Sequence, residues 1–209
     1  AINLVTVASP ELRAARVMRG AFGTWEARGS AGGRHGPLSG LFHAGHQRSR
    51  GDFRYPDDNG TPFNPDDDSL SARVNNRFAA TSLLGSVGWQ AAPRWRFGAR
   101  ADLFHKAQGV PGLGAVPAWD THLAFTRALG RLDVWRVGAG AMPRVRLAAG
   151  LARERTRFRD PASELGLGRH DTDDRTGGGD LALDLDWREL PHGLALGAGG
   201  AVRAEWSRP

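Results

Sequence analysis

Five carboxylates and one carboxamide crowd a short stretch of the chain, Asp57, Asp58 and Asn59 followed by Asp66, Asp67 and Asp68. Hard oxygen ligands at that density are what Ca²⁺ selects. The spacing is not that of an EF-hand loop, and Asp57-Asp58-Asn59-Gly60 is a good turn sequence in its own right. Residues 52–75 therefore have two readings: a solvated acidic loop, the simpler one, and a loop ordered by Ca²⁺. His170, Asp171, Asp173 and Asp174 form a similar mixed cluster, for which the solvated loop is favoured more strongly. His43 and His46 are three apart, which on a strand sends them to opposite faces and makes a poor metal pair. Ser39 with His43, or Ser82 with His105, are the combinations on offer for hydrolysis, but neither sits in a nucleophile motif with an oriented third group. The glycine-rich stretches GVPGLG at 109–114 and GLGRHD at 166–171 open no helix, so they are not phosphate loops. The chain is expected not to be an enzyme. Tyr55, Phe63 and Trp119 are loop aromatics with two uses open to them, stacking on a ligand or anchoring loops at a membrane boundary.

The elements that must carry these residues are strands. Trp95, Phe97, Ala99, Ala101 and Leu103 are apolar at every second position, with Arg94, Arg96, Gly98, Arg100, Asp102 and Lys106 on the other parity. That is the period of a strand with one greasy and one wet face. Leu181, Leu183, Leu185 and Trp187 alternate with Asp180, Ala182, Asp184 and Asp186 in the clearest pattern of all. Further strands are expected over 15–22, 25–31, 39–50, 77–90, from 121 onward, 144–157 and 194–204. In the strand from Thr121, Leu123, Phe125 and Leu129 are read as the outward face, with Arg127 awkward among them. Leu132 and Val134 have the opposite parity, so a bulge or early turn is expected near Gly130. Short turns hold Pro37, Pro93, Pro143 and Pro191, and between them run long polar connections, 158–178 among them. The repeating unit is thus a hairpin plus one long loop.

Composition points the same way. Hydrophobic residues make up 40% and charged residues 24%, yet the apolar residues alternate rather than pool into blocks that would fill a core. The net charge of +6 would raise nucleic acid as a partner, but the arginines recur along strands instead of clustering among aromatics, so none is expected. No cysteine is present, which suits an oxidising compartment. No apolar run approaches the ~20 residues of a membrane helix. Short turns on one side and long loops on the other are the habit of transmembrane β-barrels, whose strands need only about 9–11 residues to cross. Trp25, Trp89, Trp95, Trp187 and Trp206 fall near strand ends on the apolar parity, where an interfacial girdle belongs.

Several of these stretches, in order, resemble the TonB-dependent outer-membrane receptors of the cobalamin and siderophore type. AINLVTV at 1–7 resembles the last strand of the plug, and RGAFGTWEARGSAGG at 19–33 is similar to the first barrel hairpin. DFRYPDDNGTPFNPDDDS with the following NNRF looks like the first long loop, DLFHKAQGVPGLG matches a strand end and loop, and FRDPASELGLG resembles a later one. The resemblance implies an all-β, antiparallel transmembrane β-barrel segment, with residues 1–9 ending the plug domain and 10–209 forming the N-terminal part of the barrel. Eight or nine meandering strands of about 22 are expected, so the chain is read as a fragment cut at both ends. It implies a receptor in the cell outer membrane, with lipid around it, for uptake of a siderophore, other metal chelate or corrinoid. Coupling to the TonB complex would run only through the missing plug. The alternatives are a complete small outer-membrane barrel with a structural or adhesive role, and a soluble carbohydrate-binding β-sandwich.

Overall fold

Side chains that alternate between apolar and charged give a strand two usable faces, and antiparallel neighbours joined by tight turns keep those faces in phase. A computed structural model describes residues 11–112, 116–140, 142–188, 190 and 194–209. The expected plug strand at 1–9 and the Pro191 turn lie outside the described residues. Eleven strands follow in order: β1 (Leu12–Arg19), β2 (Trp25–His35), β3 (Leu38–Ser49), β4 (Arg54–Asp57), β5 (Ser69–Ala72), β6 (Phe78–Ala92), β7 (Trp95–Gly109), β8 (His122–Arg136), β9 (Arg144–Asp160), β10 (His170–Trp187) and β11 (Leu196–Arg208). Nine form one antiparallel sheet in the order β1-β2-β3-β6-β7-β8-β9-β10-β11, and β4 pairs only with β5. The sheet is a meander and it is open: β1 and β11 do not pair with each other.

At the turn end, Gly36 adopts a positive φ of 56° between β2 and β3, a conformation glycine tolerates without strain. At the loop end lie the connections 50–77, 110–121 and 161–169. The first is more than a loop, since it holds the β4–β5 hairpin and a short 3₁₀ turn over Pro65–Asp67.

Two expectations are corrected. No register shift occurs near Gly130, because β8 pairs without interruption with β7 and with β9 from His122 to Arg136. The irregularity lies instead at the base of β6, between Trp89 and Ala92. With the phase unbroken, Leu132 and Val134 share a face with Phe97, Ala99 and Leu103, whereas Leu123, Phe125 and Leu129 share the other with Arg127. The loop expected over 158–178 is also shorter. His170 to Thr176 belong to β10 and pair with Glu154 to Asp160 of β9. Both faces are polar there, so no alternation announces the strand.

There is no ordinary core. Among the described residues only Ala118 and Ala148 are buried hydrophobics. The chain exposes 14881 Å², against roughly 9,400 Å² for a compact soluble monomer of its mass. One nine-stranded layer explains the excess: nothing among the described residues packs on either of its faces.

Candidate functional site

Register assigns every strand residue to one of two faces, and the two differ sharply. One presents Ala27, Gly29 and Ala31 on β2, Gly40, Phe42 and Ala44 on β3, and Leu83, Gly85 and Val87 on β6. It continues through Ala99, Ala101 and Leu103, then Gly130, Leu132 and Val134, then Leu147, Ala149 and Leu151, and on to Leu181, Leu183, Leu185 and Val202. Many are large and exposed, among them Phe42 at 54%, Leu132 at 60% and Val202 at 73%. From β2 to β11, charged side chains appear on this face only level with the strand-end tryptophans or beyond them, as at Arg48, Arg136, Arg153 and Arg208.

Tryptophans frame the apolar expanse. Trp25 and Trp206 lie on it at the loop end, and Trp89, Trp95 and Trp187 at the turn end. Phe97 stands beside Trp89 and Trp95, with ring centroids 5.4 and 6.3 Å away, and the Arg48 guanidinium lies 5.8 Å from the Trp25 ring centre. Trp187 is ten residues from Gly177, the partner of Trp206. Ten residues of strand run ~33 Å, which at the tilt of a membrane barrel projects to about 25 Å, the height of such a barrel's apolar band.

The opposite face carries its charges in mid-strand. Arg28 meets Glu26 at 2.8 Å, Arg131 and Arg146 share Asp133 at 3.3 and 3.9 Å, and Arg203 pairs with Glu205. Arg127, awkward on the sequence reading, points here and reaches Asp102 at 3.5 Å, with Glu154 directly opposite on β9. A twisted sheet is hollow along one diagonal on each side. The charged hollow, about 830 Å³, is lined by Arg100, Asp102, Arg131, Glu154, Asp180 and Arg203. The apolar hollow, about 700 Å³, lies over the small residues Gly85, Ala101 and Gly130.

At the loop end a polar cluster ties three connections together. Thr121 and Asp160 are fully buried. Asp160 accepts the backbone N–H groups of Glu164 and Leu165 at 2.7 and 3.1 Å, and Glu164 accepts those of Trp119 and Asp120 at 2.7 and 2.9 Å. The Thr121 hydroxyl lies 2.7 Å from Glu164 and 3.3 Å from Asp160. From the connection that ends at β6, Asn75 donates to the Thr121 carbonyl at 2.7 Å, and Arg73 donates to Gly112 at 2.5 Å. Burial works against the Glu164 charge, but its hydrogen bonds from Trp119, Thr121 and Asp120 outweigh that, so its carboxyl sits below the usual glutamate range. None of these four residues, Asn75, Thr121, Asp160 and Glu164, stood out in the sequence. The one signal was Asp160 before Pro161, a turn-forming pair.

Across the family models searched no match is found, and no curated protein matches the chain.

The acidic stretch is a set of turns. Asp57 accepts the Asn59 N–H at 3.2 Å and the Tyr55 hydroxyl at 3.4 Å, Asp58 accepts the Gly60 N–H at 3.1 Å, and Asp67 accepts the Thr61 hydroxyl at 2.7 Å. Asp66 and Asp67 lie in the first turn of the 3₁₀ segment, and Asp68 caps its end through its backbone N–H to Pro65. Among the described residues no three acidic or histidine side chains are grouped to hold a metal ion. Tyr55 is half-buried under Arg73, whose guanidinium is 5.5 Å from its ring, whereas Phe63 at 98% and Trp119 at 62% are exposed. His43 bonds Ser30 at 2.8 Å and His46 bonds Thr81 at 2.9 Å, from opposite faces as the spacing requires. Ser39 donates to the Gly88 carbonyl and His105 meets Thr126, so neither serine–histidine combination read from the sequence is formed.

Proposed function

We propose that the chain forms part of the wall of an outer-membrane β-barrel, with the apolar face toward lipid and the charged face toward a polar lumen. The observation that carries this reading is the absence of charge between the two tryptophan rows on one face from β2 to β11, Arg13 on the edge strand β1 being the exception, beside mid-strand ion pairs on the other. A water-facing sheet surface gains nothing from leaving Phe42, Leu132, Leu151 and Val202 uncovered. Lipid solvates them, and the open hollow opposite suits water or an inserted domain. Antiparallel order, turns at one end and longer connections at the other support the same architecture.

Within that architecture the reading is a TonB-dependent receptor that imports a metal chelate or corrinoid. Its support is the ordered set of sequence resemblances and the charged lumen face. The exposed Phe63 and Trp119 are then candidates for first contact with a ligand outside the cell. The test of the wall is depth: tryptophan fluorescence of the reconstituted chain should be quenched by lipids brominated near the headgroup more than by those brominated at the chain terminus. Equal, weak quenching by both removes the membrane reading. The test of transport is uptake of labelled siderophore or corrinoid by cells with and without the gene, and unchanged uptake of every ligand tried removes the receptor.

A further inference from the structure

Beyond the apolar band, β9 does something the other strands do not. After Leu147, Ala149 and Leu151 the same face continues as Arg153, Arg155, Arg157 and Arg159, four arginines at consecutive outward positions. On β10 and β11 the neighbouring outward positions add Arg175 and Arg208. Two acids lie among them. Asp173 holds Arg155 at 2.6 Å and Arg175 at 2.5 Å, while Asp171 holds Arg157 and Arg159 more loosely at 3.5 and 3.3 Å. Arg153 and Arg208 have no ion-pair partner among the described residues. Six guanidinium groups against two carboxylates leave a surplus of four positive charges.

Position gives the surplus its meaning. Arg153 lies in the same row as Trp206, separated from it by Gly177, where no side chain intervenes. The arginines therefore begin where the tryptophan girdle stands and climb away from it. All four on β9 are exposed.

We infer that this arginine ladder is a docking surface for phosphate-bearing lipid headgroups of the leaflet at the loop end of the barrel. The inference rests on the barrel reading above. The acyl chains of such a lipid would lie against Leu147, Leu151 and Val202, and its phosphate would meet Arg153, Arg157, Arg159 and Arg208. Guanidinium is suited to this partner because its planar donors match phosphate oxygens two at a time. Arg155 and Arg175 are already committed to Asp173, so they fix the shape of the ladder and leave the looser arginines to bind.

The chain should be reconstituted in vesicles of phosphatidylcholine, with and without a minor fraction of phosphatidic acid, and the number of retained phosphatidic acid molecules read by native mass spectrometry. Wild type is expected to retain phosphatidic acid in preference to phosphatidylcholine, and added salt to weaken the preference. R153Q/R157Q/R159Q should lose the preference by roughly a hundredfold, from about fivefold for each arginine near the surface. R100Q/R131Q/R203Q removes equal charge from the opposite face and should keep it. Insertion is scored separately, by brominated-lipid quenching in phosphatidylcholine alone. Failure of wild type to insert even at protein-to-lipid ratios high enough for a second copy to pair the open β11 edge overturns the barrel reading and this inference with it. Insertion without preference, or an equal loss in both triple variants, overturns this inference alone. Competition by inorganic phosphate that leaves no lipid preference would make the ladder an anion site and not a lipid site, which also overturns it.

Discussion

At the scale of single residues, parity is the sharpest property of this sheet. Leu183 and Ala182 are adjacent on β10, yet Leu183 shares its face with Leu147 and Ala182 shares its face with Ala148. An arginine at Leu183 would enter the apolar band, at a cost of about 2–4 kcal/mol if, as proposed, that band lies at the bilayer midplane. An arginine at Ala182 would join Asp180, Asp184 and Arg203 on the charged face. L183R should therefore lower the denaturant midpoint of the lipid-embedded chain strongly and A182R hardly at all. Equal effects would mean that the two faces are solvated alike. Arg127 illustrates the limit of reading residues alone. Beside Phe125 and Leu129 it looks misplaced in the sequence, and only the uninterrupted register of β8 turns it toward Asp102 and Glu154. Its Nε is nevertheless buried without a partner, and we have no physical account of that.

Among elements, the loop cluster depends on one carboxylate, that of Glu164, staying ionised. Glu164 accepts hydrogen bonds and donates none, and its folded carboxyl lies below its ordinary value. Its contribution is thus present above the unfolded glutamate value near ~4.3 and is lost as pH falls through the lower folded value. Asp173, held down by hydrogen bonds from Arg155 and Arg175, follows the same sign and yields only in stronger acid. Proteolysis of the 161–169 connection should accelerate as pH drops below about 4 in wild type, while E164Q is cleaved readily at neutral pH with little further pH dependence. An identical profile for both would remove Glu164 from the latch. None of this was legible beforehand, since a threonine, an asparagine and two acids scattered over ninety residues have no local pattern. The alternation of β7 and β10 was legible because each of their faces meets a single environment along the band. Where β10 climbs past Gly177, both faces become polar and the period vanishes. In β8 three apolar residues on the charged face imitate a phase slip, and there sequence parity misled.

For the whole molecule, the open sheet makes a prediction about protection. Each central strand gives its amides alternately to two neighbours, whereas β11 has β10 alone and β1 has β2 alone. Every amide of β7 and β8 within the band should resist hydrogen exchange, and alternate amides of β11 should exchange fast wherever that edge is left unpaired. Uniform protection of β11 would reveal a further strand paired there, from additional barrel or from a second copy. Lipid cannot satisfy an open edge, so the barrel reading requires such a partner in the membrane.

The β4–β5 hairpin stands apart from the nine-stranded sheet, and its tip near Phe63 is almost fully exposed. Lengthening a loop is entropically mild, about 0.6 kcal/mol for each doubling. A peptide epitope inserted between Pro62 and Phe63 should consequently leave strand register intact and be stained by antibody on unbroken cells. The same epitope placed at Gly36, in the tight turn at the opposite end, should disturb pairing of β2 with β3 and stay hidden until the cells are opened. A pair of such tags would turn the two ends of the sheet into markers of which way the chain faces.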